Sequence, residues 1–270
     1  MIILSLTYSY SQDNNFSVSL IDSIHGKSNE FSIDNFDNIY ITTNDVILKL
    51  NSNLDTLFST SLKSFFPSSI ESSKSFRNLV FDDEKGTVMF LDNTLTEVYS
   101  DPVTVGFDLT DLDILQAVLV CESFNGNTFW VLDEANMQLV KLNQNLEIVT
   151  RIDNLNFLFE NKESPIQMFE RNDQLYIHFP NNGLAIFDSF GTYLKYIPIK
   201  SKWIDIQNNY LLSLNDNQIT ILELPFIDIV SILSFKNNGI KSFVIQKDKI
   251  YIQSDNSITI YSIKQKTNNK

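Results

Sequence analysis

A phrase written twice limits what this chain can fold into more than any other feature. Ile47 to Thr56 reads ILKLNSNLDT, and from Leu139 the chain reads LVKLNQNLEI. In both, a lysine stands between aliphatic residues and is followed by Leu-Asn-x-Asn-Leu and an acid. The interval from Lys49 to Lys141 is close to twice the roughly 40–45-residue period of four-stranded β repeats. A copy is therefore expected between them, and others after the second. Each copy at such a period is one supersecondary unit that buries its apolar faces against its neighbours.

Cutting the chain at clusters of Asn, Asp and Gly, which tolerate the positive φ of tight turns, separates six units. Their first runs are EFSID, FRNLVFD, ILQAVLV, PIQMFER, WIDIQ and KSFVIQ. Second come IYITT, TVMFLD, TFWVLD, LYIHFP, YLLSLN and IYIQSD, and third VILKLN, TLTEVY, QLVKLN, LAIFDS, ITILEL and ITIYSI. These runs are rich in the β-branched and aromatic residues that suit strands. The repeated phrase is thus the third strand and following turn of units one and three. LDTLFST, PVTVGFD, LEIVTRI, TYLKYIPI and IVSILSF supply fourth strands to the first five units. Helical periodicity is confined to a single possible turn over Leu109 to Leu115.

Unit six has no fourth strand, because only TNNK follows ITIYSIKQK. FSVSLIDSI, Phe16 to Ile24, alternates like a strand, precedes the first full unit and has no partner of its own. It can complete unit six and close the repeats into a ring, which removes the exposed ends of an open array. The expected fold is all-β: a six-bladed β-propeller of four-stranded antiparallel blades over residues 13–264, closed by the N-terminal strand, with a polar tail at 265–270.

With 270 residues, 43% of them hydrophobic, and only 7 Gly and 6 Pro, the chain can bury a large core and is neither disordered nor fibrous. A formal charge of -13 and the lack of a basic patch argue against a nucleic-acid partner, whose phosphates must be met by clustered Lys and Arg. No apolar run is long enough for a transmembrane helix. Residues 1–12, MIILSLTYSYSQ, begin apolar and offer small Ser9 and Ser11 before Gln12, in the manner of the end of a secretory signal. The expectation is export, to a periplasmic or outer-membrane-associated site; without export the protein is cytoplasmic. Cys121, alone in AVLVCES, is expected to be a buried thiol.

NIYITTNDVILKLNSNLD, Asn38 to Asp55, resembles the blades of the NHL and TolB-like six-bladed propellers, which carry an Asn or Gly, an Ile-Tyr-like pair and a Lys-Leu-Asp-like phrase. Units two, five and six match loosely, and the usual Gly after the third strand survives only as Gly191. The Asn-, Lys- and Ile-rich composition and the apolar start also resemble small exported propellers of Gram-negative envelopes. The resemblance implies an envelope setting but no activity; the expected function, a non-catalytic scaffold with a protein partner of the cell envelope, rests on the aromatic residues of two long connectors. The resemblance also carries an alternative, since some such propellers are hydrolases or lactonases with a divalent metal held by Glu, Asn and Asp near the central channel, where oxygen ligands suit calcium.

Candidate acids near the inner strands are Asp34, Glu122, Glu170 and Asp205, which can equally end strands or line a solvated channel. His178 is expected to face a neighbouring blade, and His25 follows the closing strand. No HExxH, GxSxG, GxxxxGK[ST] or CxxC pattern is present, so no catalytic residue, metal or cofactor is assigned. Two long connectors display aromatics: Ser61 to Ser75 carries Phe65 and Phe66, and Asn154 to Ser164 carries Phe157, Leu158 and Phe159. These five side chains are the candidate partner-binding residues, unless they pack on the blades.

Overall fold

A computed structural model describes residues 16–72, 77–98, 106–123, 126–159, 163–237 and 239–265. Residues 1–12, read as a possible signal, lie outside these, as does most of the polar tail. The described residues form six four-stranded antiparallel sheets, the blades of a propeller. Blade one comprises β2 (Phe31–Ile33), β3 (Ile39–Thr43), β4 (Val46–Leu50) and β5 (Thr56–Ser61). Blade two comprises β6 (Ser69–Glu71), β7 (Arg77–Asp82), β8 (Thr87–Asp92) and β9 (Phe107–Asp108). A 3-10 turn at Leu109–Leu112, within the anticipated segment, leads into blade three: β10 (Ala117–Glu122), β11 (Thr128–Asp133), β12 (Gln138–Asn143) and β13 (Ile148–Ile152). Blade four holds β14 (Gln167–Arg171), β15 (Gln174–Phe179), β16 (Gly183–Asp188) and β17 (Tyr193–Ile197). Blade five holds β18 (Trp203–Gln207), β19 (Tyr210–Asn215), β20 (Gln218–Glu223) and β21 (Asp228–Ser234). Blade six holds β22 (Ser242–Gln246), β23 (Lys249–Ser254) and β24 (Ser257–Gln265), completed by β1 (Phe16–His25).

The turn between third and fourth strands explains half of the repeated phrase. In blade one Asn51 Oδ1 accepts from the backbone N–H groups of Asn53 and Asp55, each at 2.9 Å, while Leu54 takes a φ of 67°. Blade two repeats this with Asp92, Thr94, Thr96 and left-handed Leu95. Blade three uses Asn143, Asn145, Glu147 and Leu146, and blade four Asp188, Phe190, Thr192 and Gly191. A short Asn or Asp is needed at the first position, because only its carboxyl or amide oxygen reaches the two amides beyond it.

The lysine explains the other half. Lys49 is buried, donates from Nζ to the Asn93 carbonyl at 3.0 Å and to the Asn93 side chain, and lies 5.1 Å from the centre of the Tyr40 ring. Lys141 donates to the Ser189 carbonyl at 2.9 Å and lies 4.7 Å from the Trp130 ring centre. Asn93 and Ser189 occupy the third-to-fourth-strand turns of blades two and four. Each lysine therefore ties its own blade to the turn of the next one.

Between blades the seams are apolar. Tyr176, Leu184 and Ile186 of blade four pack with Ile204, Ile206 and Leu211 of blade five, and Phe31 and Ile41 of blade one with Tyr251 and Ile260 of blade six. The ring closes as the sequence indicates: β1 pairs antiparallel with β24 from Phe16 opposite Gln265 to His25 opposite Ser257. A polar clasp adds to the ladder. Gln253 Nε2 in blade six donates to Ser28 O, Ser28 Oγ and Asn29 O at 3.2, 2.9 and 3.0 Å, and Ser242 Oγ donates to Gln253 Oε1 at 2.7 Å.

Blade two departs from the sequence reading by one strand. FRNLVFD is its second strand and TVMFLD its third. The start of TLTEVY forms the Asp92–Thr96 turn, and the inner strand is Ser69–Glu71, inside the segment taken as a connector. Three residues with one aliphatic side chain, Ile70, give no period that sequence alone can register. Part of PVTVGFD falls outside the described residues, and its end forms β9.

Deleting residues 1–25 is expected to uncover the β24 edge, lower the melting temperature of the whole ring and promote aggregation. A truncated chain that melts and stays soluble like the parent would show that β1 is not needed for closure.

Candidate functional site

The inner strands enclose a central cavity of about 390 Å³, lined by Glu30, Glu71, Asp83 and Asp205, by Arg171, by Ser and Gln side chains, and by aromatic and aliphatic ones. Of the four candidate acids only Asp205 lines it. Asp205 accepts from the Ile206 amide at 2.8 Å and Gln207 Nε2 at 3.0 Å and stands 3.8 Å from Arg171 Nε. Burial nevertheless raises its pKa, against the pull of Arg171.

The other three acids are built into the fold. Asp34 accepts from the amides of Phe36 and Asn38, from Asn38 Nδ2 and from the Tyr40 hydroxyl, at 2.9, 2.9, 2.7 and 3.2 Å. It therefore builds the hairpin between β2 and β3. Glu170 accepts from Trp130 Nε1 at 2.9 Å and so joins blade four to blade three. Glu122 is buried at the end of β10. Among the described residues no group of three or more His, Cys, Asp or Glu side chains is placed to hold a metal ion.

His178 bonds within its own blade, to Gln167, and reaches the neighbouring blade through it. Its Nδ1 lies 2.9 Å from Gln167 Oε1, which also accepts from the Ile204 amide of blade five, while Gln167 Nε2 donates to Ile204 O. Full burial pushes the imidazole pKa down to about 4, so the ring is neutral at physiological pH. His25 is exposed beside Ser23. Cys121 is 1% exposed, within the seam between blades three and four.

Glu30, Glu71 and Asp83 are cavity acids that sequence reasoning missed, and Glu30 is strongly perturbed. Its pKa is pushed up to about 7, chiefly by burial, with Lys241 lowering it and Glu71 raising it. The signal was hidden because Glu71 belongs to the three-residue strand that reads as connector. Between its ordinary value near 4.5 and about 7 the folded state holds the proton and the unfolded chain does not. Stability is therefore lost as pH rises through this window. Glu30→Gln removes the loss, so its melting temperature relative to the parent is expected to climb from pH 5 to pH 8. A difference that stays constant over that range would contradict the assignment.

The aromatic connectors divide in two. Phe65, Leu158 and Phe159 are 1%, 8% and 9% exposed and belong to the core. Phe65 packs with Tyr40, Ile47, Ile70 and Val80, and Phe159 meets Phe179 edge-on at 6.1 Å. These three give way as partner anchors, because each connector must cover an apolar seam where it crosses between blades. Phe66 and Phe157 remain at the surface, 48% and 42% exposed. The Phe66 amide donates to Asp82 Oδ2 at 3.0 Å and its ring lies 5.8 Å from Lys85 Nζ; Phe157 meets Tyr193 edge-on at 5.0 Å. Both connectors run from an outer strand to the next inner strand, so antiparallel order puts them on one face.

No protein-family model matches the sequence, and no curated protein matches it. Solved structures match the fold over nearly the whole chain. The Neurospora crassa Pan2 WD40 domain aligns with a TM-score of 0.65 and 8% identity, over 96% of this chain and 97% of that one. BamB from Moraxella catarrhalis aligns with a TM-score of 0.55 and 12% identity, over 94% of this chain and 100% of that one. BBS1N, solved in complex with ARL6DN, aligns at 0.56 and 10% identity, over 87% of this chain and 77% of that one. At these identities the likeness is one of fold. Among the described residues no helix is long and apolar enough to cross a membrane.

Proposed function

We propose that the protein is a non-catalytic interaction scaffold of the bacterial cell envelope, docking a protein partner on the face of the two aromatic connectors. One observation carries the reading: Phe66 and Phe157 are both about half exposed yet held in place, one by the Asp82 hydrogen bond and Lys85, the other by Tyr193. An aromatic anchor fixed before binding loses little side-chain entropy on docking and offers a large contact area. The NHL and TolB-like character of Asn38 to Asp55 and the apolar first twelve residues support a periplasmic or outer-membrane-associated place. BBS1N, a fold neighbour, is itself seen with another protein, ARL6DN. The hydrolase alternative draws no support from Asp34 and Glu170, whose carboxylates are engaged by hairpin and inter-blade hydrogen bonds.

The test is partner capture from envelope extracts by the parent and by a Phe66→Ala, Phe157→Ala double variant. Truncating a docked anchor costs about 2 kcal/mol or more, whereas exposed positions change stability by about 0.5 kcal/mol at most. The double variant is expected to keep the parent melting temperature and lose its partners. Phe65→Ala is the contrast, expected to lose about 3–5 kcal/mol of stability through the cavity it leaves. Undiminished capture by the folded double variant would show that this face is not the interface.

A further inference from the structure

The third-to-fourth-strand turns of blades four and five each present a phenylalanine, although the blade-five turn is one residue longer, its Ile227 amide bonding to Glu223 O. The residue before the left-handed one is Asn53, Thr94 and Asn145 in blades one to three, but Phe190 in blade four and Phe226 in blade five. Both phenylalanines are 80% exposed, the highest values among the large apolar side chains of the described residues. The Phe190 ring does not serve its turn, since the Asx hydrogen bonds of blade four involve only its amide and polar residues suffice in blades one to three.

Both turns are pinned on either side of the exposed ring. Next to Phe190, the Ser189 carbonyl accepts from Lys141 of blade three. On its other side a Cβ at Gly191 would lie 2.2 Å from Ile152 Cδ1, so the turn backbone sits hard against blade three. Next to Phe226, Ile227 packs into the seam of blades four and five together with Leu224, and Leu224 donates its amide to Asn209 O at 2.8 Å. Each phenyl is thus held out in water by an anchored turn, so burying it under a partner orders little that is free. Blades four and five are neighbours in the ring, and their outer strands each carry a further half-exposed aliphatic side chain, Leu194 and Ile229, 46% and 49% exposed.

Charge selects the occupant. The two turns carry Glu223, Asp228 and Asp188, whose Oδ1 caps its own turn, against Lys195 of the blade-four outer strand and Lys141, whose ammonium is engaged by the Ser189 carbonyl, and the whole chain is at -13. An anionic lipid surface, a nucleic acid or a second copy of this acidic chain would meet like charge here. We infer that the turns of blades four and five form a second docking surface for a basic polypeptide segment that carries apolar side chains. Phe190 and Phe226 anchor the apolar groups, and the turn carboxylates meet the cationic ones.

The experiment titrates the full chain into a fluorescein-labelled peptide of alternating Lys and Leu, with an alternating Glu and Leu peptide as the charge-reversed probe, read by anisotropy. The Lys-Leu peptide is expected to bind, and the Glu-Leu peptide not to. Phe190→Ser with Phe226→Ser is expected to weaken binding by about tenfold or more, as loss of a docked aromatic does, at an unchanged melting temperature. The Phe66 ring lies by Lys85 of blade two, and Phe66→Ala should leave this binding intact, which separates it from the blade-two connector. The inference is overturned if the parent binds neither peptide, if both bind alike, or if the Phe190 and Phe226 double variant binds as the parent does. Sedimentation with phosphatidylcholine vesicles that depends on the two phenylalanines would likewise overturn it, in favour of a lipid occupant.

Discussion

Two of the blade junctions, one to two and three to four, depend on a lysine reaching from the third strand of one blade to a turn carbonyl of the next. Stripping an ammonium of water is costly unless hydrogen bonds and aromatic faces replace the lost solvent. Lys49 and Lys141 meet that condition with a carbonyl acceptor and a Tyr40 or Trp130 ring. Burial chiefly lowers the Lys49 pKa, while Asp34 and Asp92 pull it back up. The acceptor exists only because the Asx turn of the neighbouring blade is already formed, so the hydrogen bond couples two repeats. Blade two, with Phe90 at the lysine position, makes the same connection from β7: Arg77 donates to Gln144 Oε1 in the blade-three turn at 2.7 Å. At the corresponding positions of blades four and five, Ile186 and Ile221 are buried and pack in apolar clusters.

Repeats that touch only their neighbours are stable as a closed set, which is why the β1 strand matters beyond its own small core contribution. None of its side chains is fully buried; its attachment is the backbone ladder with β24. The Gln253 clasp then fixes where the chain leaves β1 and enters blade one.

Six repeats, the closing strand and the turn chemistry were legible because Asn, Asp and Gly punctuate the chain at most of the places where φ turns positive. The strand Ser69–Glu71 was not, since a strand of three residues offers no alternation. That loss shifted blade two by one strand and hid Glu71 from Glu30. Nor could the sequence tell Phe65 from Phe66. On an irregular connector no periodicity assigns one ring to the core and the next to solvent, and only the seam between blades decides. Asp34 and Glu170 lie near inner strands as their sequence positions suggest, yet their roles depend on partners 2 to 40 residues away. Function is less legible still, because it rests on which exposed rings the fold holds rigid.

The coupling between blades is tested most directly by site-resolved hydrogen exchange on Lys141→Met, a change that keeps the aliphatic stem and removes the donor. If the lysine holds the next blade, the amides of Phe190 and Thr192 in the blade-four turn lose protection, although the substitution lies in blade three. Unchanged protection at those amides, or a loss confined to β11 and β12, would contradict the coupling.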